Sequence, residues 1–67
     1  MIATQEDIVI VDKETNKALI NIKGWSDESK PTEKLGDYII ADCSTFMEMD
    51  TGNLYAFKES SGTWVAV

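Results

Sequence analysis

The chain has no histidine and no arginine, and among its 67 residues only one cysteine, one proline and four glycines. Each shortage removes a class of protein. Without histidine a Cys/His zinc site cannot be built, and Ser44 and Ser61 have no imidazole to take their protons, so the usual nucleophile–base pair is not available. A lone Cys43 cannot form an internal disulfide. It fits a protein that matures in a reducing cytoplasm and is expected to sit as a small, half-buried hydrophobe. Twelve acidic residues face six lysines, a net charge of −6. That is the wrong sign for a phosphate backbone, which is bound by neutralising it, so nucleic acid is not an expected partner. Such a balance reads first as a solvated exterior, and secondarily as favouring a basic partner surface. Residues 1–7 have no basic segment followed by an apolar core, and no stretch approaches the ~18 apolar residues of a membrane span. Neither a secretion signal nor a membrane segment is expected.

What is present is enough apolar material for one small core. The apolar fraction of 43% and the six aromatics argue against disorder, and the length allows a single domain over residues 1–67. A chain of this size buries only ~60% of its unfolded surface. One core then supplies no more than ~3–5 kcal/mol, so association with further subunits would help.

The apolar pattern is that of strands. In Asp7-Ile8-Val9-Ile10-Val11-Asp12 four β-branched or branched aliphatic side chains stand between aspartates, a composition that suits a pleated surface. Lys13-Glu14-Thr15-Asn16-Lys17 supplies a polar turn. In Ala18-Leu19-Ile20-Asn21-Ile22-Lys23 the alternation places Ala18, Ile20 and Ile22 on one face. Together these predict a first hairpin. Because neighbours on a strand point to opposite faces, the unbroken run Ile8, Val9, Ile10, Val11 asks for burial on both sides, which a lone sheet does not provide. The sheet must curl, or a second chain must cover it.

Residues 24–36 break the pattern with bounding glycines, Pro31 and a dense polar stretch, and predict a long loop. Pro31 suits the start of a single helical turn over residues 32–34. Trp25 is expected as an anchor at the core edge. Strands are then predicted over residues 37–41, 44–49, 53–58 and 63–67, with short connections that imply an antiparallel meander. Glu59-Ser60-Ser61-Gly62-Thr63 reads as a polar turn. The expected fold is all-β: about six short antiparallel strands in a meander, closed as a small barrel or sandwich.

The clearest local signal is Asp50-Thr51-Gly52 within Met49-Asp50-Thr51-Gly52-Asn53. Glycine reaches positive φ freely and an aspartate ahead of it folds back on the backbone, so the triplet predicts a three-residue hairpin loop. In that register Glu48 faces Leu54, Met47 faces Tyr55 and Thr45 faces Phe57. Met47, Tyr55 and Phe57 then share one face. Asp-Thr-Gly is also the triplet of aspartic proteases, where two such loops share a proton. Here Glu48 and Asn53 stand where those enzymes carry an apolar and a small residue, and no later apolar-apolar-Gly strand follows. The triplet is therefore read as a structural turn. Asp42, Glu48 and Asp50 lack the Asp-x-Asp-x-Asp-Gly spacing of a calcium loop and are read as solvated. No catalytic residue, metal, cofactor or small-molecule ligand is expected.

Lys30-Pro31-Thr32-Glu33-Lys34, then Ser44-Thr45-Phe46-Met47-Glu48-Met49-Asp50-Thr51-Gly52-Asn53-Leu54-Tyr55-Ala56-Phe57 and the closing Thr63-Trp64-Val65, resemble a group of very small phage and prophage proteins. The resemblance covers about the C-terminal half. It implies a structural part of a bacteriophage virion, made in the host cytoplasm during assembly, with no activity or cofactor to carry over. The expected function is a non-enzymatic head-decoration or tail-associated component that works by self-association, with further copies or other virion proteins as partners. Its candidate interaction surface comprises Ile8, Val9, Ile10 and Val11 together with Trp25, Tyr55, Phe57 and Trp64. The competing expectation is a small binding module that recognises a host protein or glycan through the exposed aromatics.

Overall fold

The computed structural model describes residues 7–67. Residues 1–6, which carry most of the N-terminal stretch read above for a leader, lie outside them. Seven strands form one open mixed sheet: β1 (Ile8–Asp12), β2 (Lys17–Gly24), β3 (Lys34–Leu35), β4 (Tyr38–Ile40), β5 (Thr45–Glu48), β6 (Leu54–Lys58) and β7 (Thr63–Ala66). The all-β class and the first hairpin agree with the sequence pattern. Ile8 pairs with Ile20 and Ile10 with Ala18, and Asn16 closes the turn at φ 62, a left-handed position that asparagine tolerates better than most residues.

The meander is confined to β5–β7, and the sheet as a whole is not one. β2 is the axis of the sheet, paired parallel to both β4 and β5. Parallel partners need a crossover of about a dozen residues, and residues 25–37 between β2 and β4 supply it. The long loop is thus a topological connection, bending at Thr32 and Glu33 with no helical turn after Pro31. β4 and β5 follow one another along the same edge of β2. Ile40 pairs with Ala18 and Thr45 with Asn21, so residues 41–44 bulge outward between the two. The bulge leaves Ile20 N–H without a ladder carbonyl, and the fully buried Ser44 Oγ accepts it at 3.0 Å. Cys43 forms the crest of this bulge at φ 72 and is exposed, not half-buried as its residue type suggested.

The β5–β6 hairpin is where the sequence placed it, one residue out of register. Thr45 pairs with Ala56, Phe46 with Tyr55 and Met47 with Leu54. The cause is the turn: Glu48 N–H donates to Asn53, and Gly52 N–H reaches back to the Glu48 carbonyl at 2.7 Å, closing a four-residue loop. The Asp50 carboxylate meets the backbone of its own turn and also reaches across to Ser26. A one-residue slip exchanges the faces of a strand. Phe46, Tyr55 and Phe57 therefore share the inner face, and Met47, Leu54 and Ala56 the outer.

The inner face carries the core: Ala18, Ile20, Ile22, Ile40, Phe46 and Phe57 are buried, and Leu35, Tyr38, Tyr55 and Trp64 pack against them. Trp64 leans on Phe57 with ring centroids 5.0 Å apart and meets Phe46 edge-on at 6.0 Å. Gly52 sits at φ 77 with open space where a Cβ would point, so its cost on substitution is conformational alone. Gly52→Val is expected to destabilise the fold by about 1–2 kcal/mol in urea unfolding, while Gly52→Asn is expected to be milder.

Candidate functional site

The most organised polar cluster lies where the loop over residues 25–33 crosses the inner face. Glu48, the last residue of β5, alternates inward with Phe46 and is buried at 4% exposure. A carboxylate in that place requires partners. Lys30 Nζ donates to Oε2 at 2.9 Å and Thr51 Oγ1 donates to Oε1 at 2.8 Å. The Lys30 ammonium also stands 4.9 Å from the centre of the Phe46 ring and 4.5 Å from that of Tyr55, within cation–π range of both. The ion pair is thus enclosed by core aromatics, and it ties the loop to the sheet.

Two further ties flank it. Trp64 Nε1–H donates to the Pro31 carbonyl at 2.8 Å. At the hairpin tip, Ser26 donates through both its hydroxyl and its backbone N–H to the Asp50 carboxylate. Each tie joins a residue of the Lys30-Pro31 region or its approach to the β5–β7 meander. Among the described residues no buried side-chain polar atom lacks a partner. Chemically the cluster is a saturated clamp, with both oxygens of Glu48 engaged and its cation sequestered.

Lys30, and then the Thr51 hydroxyl, hold the Glu48 carboxyl below its ordinary value, and the Ser26 contacts do the same for Asp50. A lowered folded-state pKa contributes stability that is fully present above the unfolded value, ~4 for a carboxyl, and is lost as pH falls through the folded value. The fold should therefore soften on acidification below about pH 4. Glu48→Gln should flatten that acid limb in a pH series of thermal melts while lowering the melting temperature at pH 7, because Lys30 is then left against the rings without its counter-charge. An acid limb identical to the parent's would show that the clamp is not what titrates.

The three carboxylates weighed for calcium go to separate partners: Asp42 caps Glu59 N–H, Glu48 holds Lys30 and Asp50 holds Ser26. Among the described residues no group of three candidate ligands converges on one point. A shallow cleft of about 260 Å³ lies at the β4 end of the sheet, lined by Ile39, Ile40 and Phe57 together with Glu33, Lys34 and Glu59. It falls below the usual range for small-molecule sites, ~300–1,000 Å³.

The residues proposed as an interaction surface separate into two sets. Phe57 is buried in the core, and Tyr55 and Trp64 are half-buried against it, so none of the three forms an exposed aromatic platform. Trp25 is 48% exposed at the end of β2, where it was expected as an anchor. On β1, Ile8 packs on the core, whereas Val9 and Val11 are each 57% exposed and Ile10 also reaches solvent. The roles of Lys30, Glu48 and Ser44 were not visible beforehand. The signal that would have exposed the clamp is the alternation of Glu48 with Phe46, once the hairpin register is right. Searches against protein-family models, curated proteins and solved structures return no match for this chain.

Proposed function

We propose that the protein is a non-enzymatic structural or accessory component of a bacteriophage particle, in the head or the tail, that works by associating with further copies of itself. The observation that carries self-association is β1. Its outer edge is unpaired among the described residues, and Val9, Ile10 and Val11 stand exposed there. Edge strands of stable monomers are usually blunted by lysine, proline or very short length. β1 has neither lysine nor proline and retains only a bulge between Ile10 and Asp12. Covering this run in an assembly would add apolar burial to a core too small to be strongly stable alone. The phage setting rests on the likeness of the Lys30–Lys34, Ser44–Phe57 and Thr63–Val65 segments to small phage and prophage proteins.

Mass spectrometry of purified virions tests the setting. The protein is expected in the particle at many copies, as a repeated subunit requires, and its absence from the virion would remove the reading. The glycan- or host-binding alternative loses support from the burial of Phe57 and the half-burial of Tyr55 and Trp64, which leaves Trp25 as the exposed aromatic of the set.

A further inference from the structure

Charge is segregated between the two sides of the sheet. The ladder pairs Asn21 with Thr45, Lys23 with Met47, Met47 with Leu54, Ala56 with Val65 and Lys58 with Thr63, and cross-strand partners share a face. The outer face of β2, β5, β6 and β7 therefore presents Lys23 and Lys58 and no carboxylate borne on those strands, while Lys17 at its margin is paired with Glu59. Between these lysines runs an apolar stripe of Met47, Leu54, Ala56, Val65 and Val67, with Val67 hydrogen-bonded to Leu54 and 85% exposed. No described element covers it. The opposite side is closed by the crossing loop, whose exposed Asp27, Glu33 and Asp37 outweigh its exposed Lys34, while its Lys30 is consumed by Glu48.

We infer that this lysine-rimmed apolar face is the docking surface for the acidic loop side of a second copy, so that subunits stack head to tail. This rests on the self-association reading and adds to the β1 edge a second contact surface and an orientation. Face-to-face pairing of two outer faces would set lysines against lysines, and like charges across an interface oppose association. Stacking outer face on loop side brings lysines to carboxylates and covers the stripe. A contact between two different surfaces does not close on itself at two copies, and it propagates into a ring or a filament. That is the geometry a repeated particle component uses.

The test is charge reversal on each side followed by mixing, read by sedimentation velocity. Lys23→Glu with Lys58→Glu reverses the face, and Asp27→Lys with Glu33→Lys reverses the loop. All four side chains are exposed, and a thermal melt of each variant checks that the fold is kept. Each double variant alone is expected to associate at least about tenfold more weakly than the parent. An equimolar mixture is expected to recover the parent's association, because every contact then joins opposite charges. Variants that associate as well as the parent, or a mixture without recovery, overturn the inference while leaving self-association intact. A parent chain that stays monomeric overturns both.

Discussion

Phe46→Ala is expected to leave the domain largely unfolded at 25 °C. Phe46 is fully buried at the centre of the inner face and touches each part of the structure that matters: β2 beneath it, Trp64 edge-on, and the Lys30 ammonium above its ring. Truncating a buried phenylalanine costs about 3–5 kcal/mol through lost transfer energy and the cavity left behind. A single core in a chain of this size supplies about the same amount. The substitution also removes one of the two rings that flank Lys30, so the loop clamp loosens together with the core. Urea unfolding followed by tryptophan fluorescence is expected to show the parent's cooperative transition and little or no transition in the variant. A variant that retained the transition with its midpoint lowered by less than a quarter would show that the core does not converge on Phe46.

Gly24→Val is expected to destabilise the fold by about 1–3 kcal/mol, by overpacking. Gly24 is the last residue of β2, it is buried, and its conformation is ordinary, so its requirement is one of space. A Cβ there would lie 2.6 Å from the Phe46 Cζ and 3.0 Å from a carboxylate oxygen of Glu28. The ring cannot retreat without displacing Trp64 or Lys30. The prediction includes its own control. Placing the smaller Leu at position 46 should recover part of the loss, so the double-mutant cycle of Gly24→Ala and Phe46→Leu should show favourable coupling of at least about 0.5 kcal/mol. Additive losses would mean that the contact is relieved elsewhere.

These two positions also mark what the sequence made legible. The alternation of Ala18, Ile20 and Ile22 was readable because one face of β2 is buried along its length, and the β1–β2 hairpin followed from it. The turn at Gly52 was readable because only glycine adopts that φ without strain. The register was not, because it depends on whether the turn closes over three residues or four, and Asp50-Thr51-Gly52 suits both, whereas the Glu48 and Gly52 backbone bonds close it over four. The parallel pairing of β2 with β4 and β5 was hidden for a related reason. Strands of three and four residues carry too little pattern to reveal direction, and a polar crossover looks like any surface loop until its ties are seen. Ser44 shows the same limit in one side chain. A serine without a histidine is uninformative as a nucleophile, yet here its hydroxyl replaces a missing carbonyl in the ladder. The clamp of Lys30 and Glu48 became inferable only after the register was corrected.

Sedimentation velocity on the unmodified protein across a dilution series tests the proposed self-association. Species well above the 7.5 kDa of one chain are expected, with a distribution that shifts to larger mass as concentration rises and to smaller mass as salt is added. A single 7.5 kDa species at every concentration and salt level would contradict it.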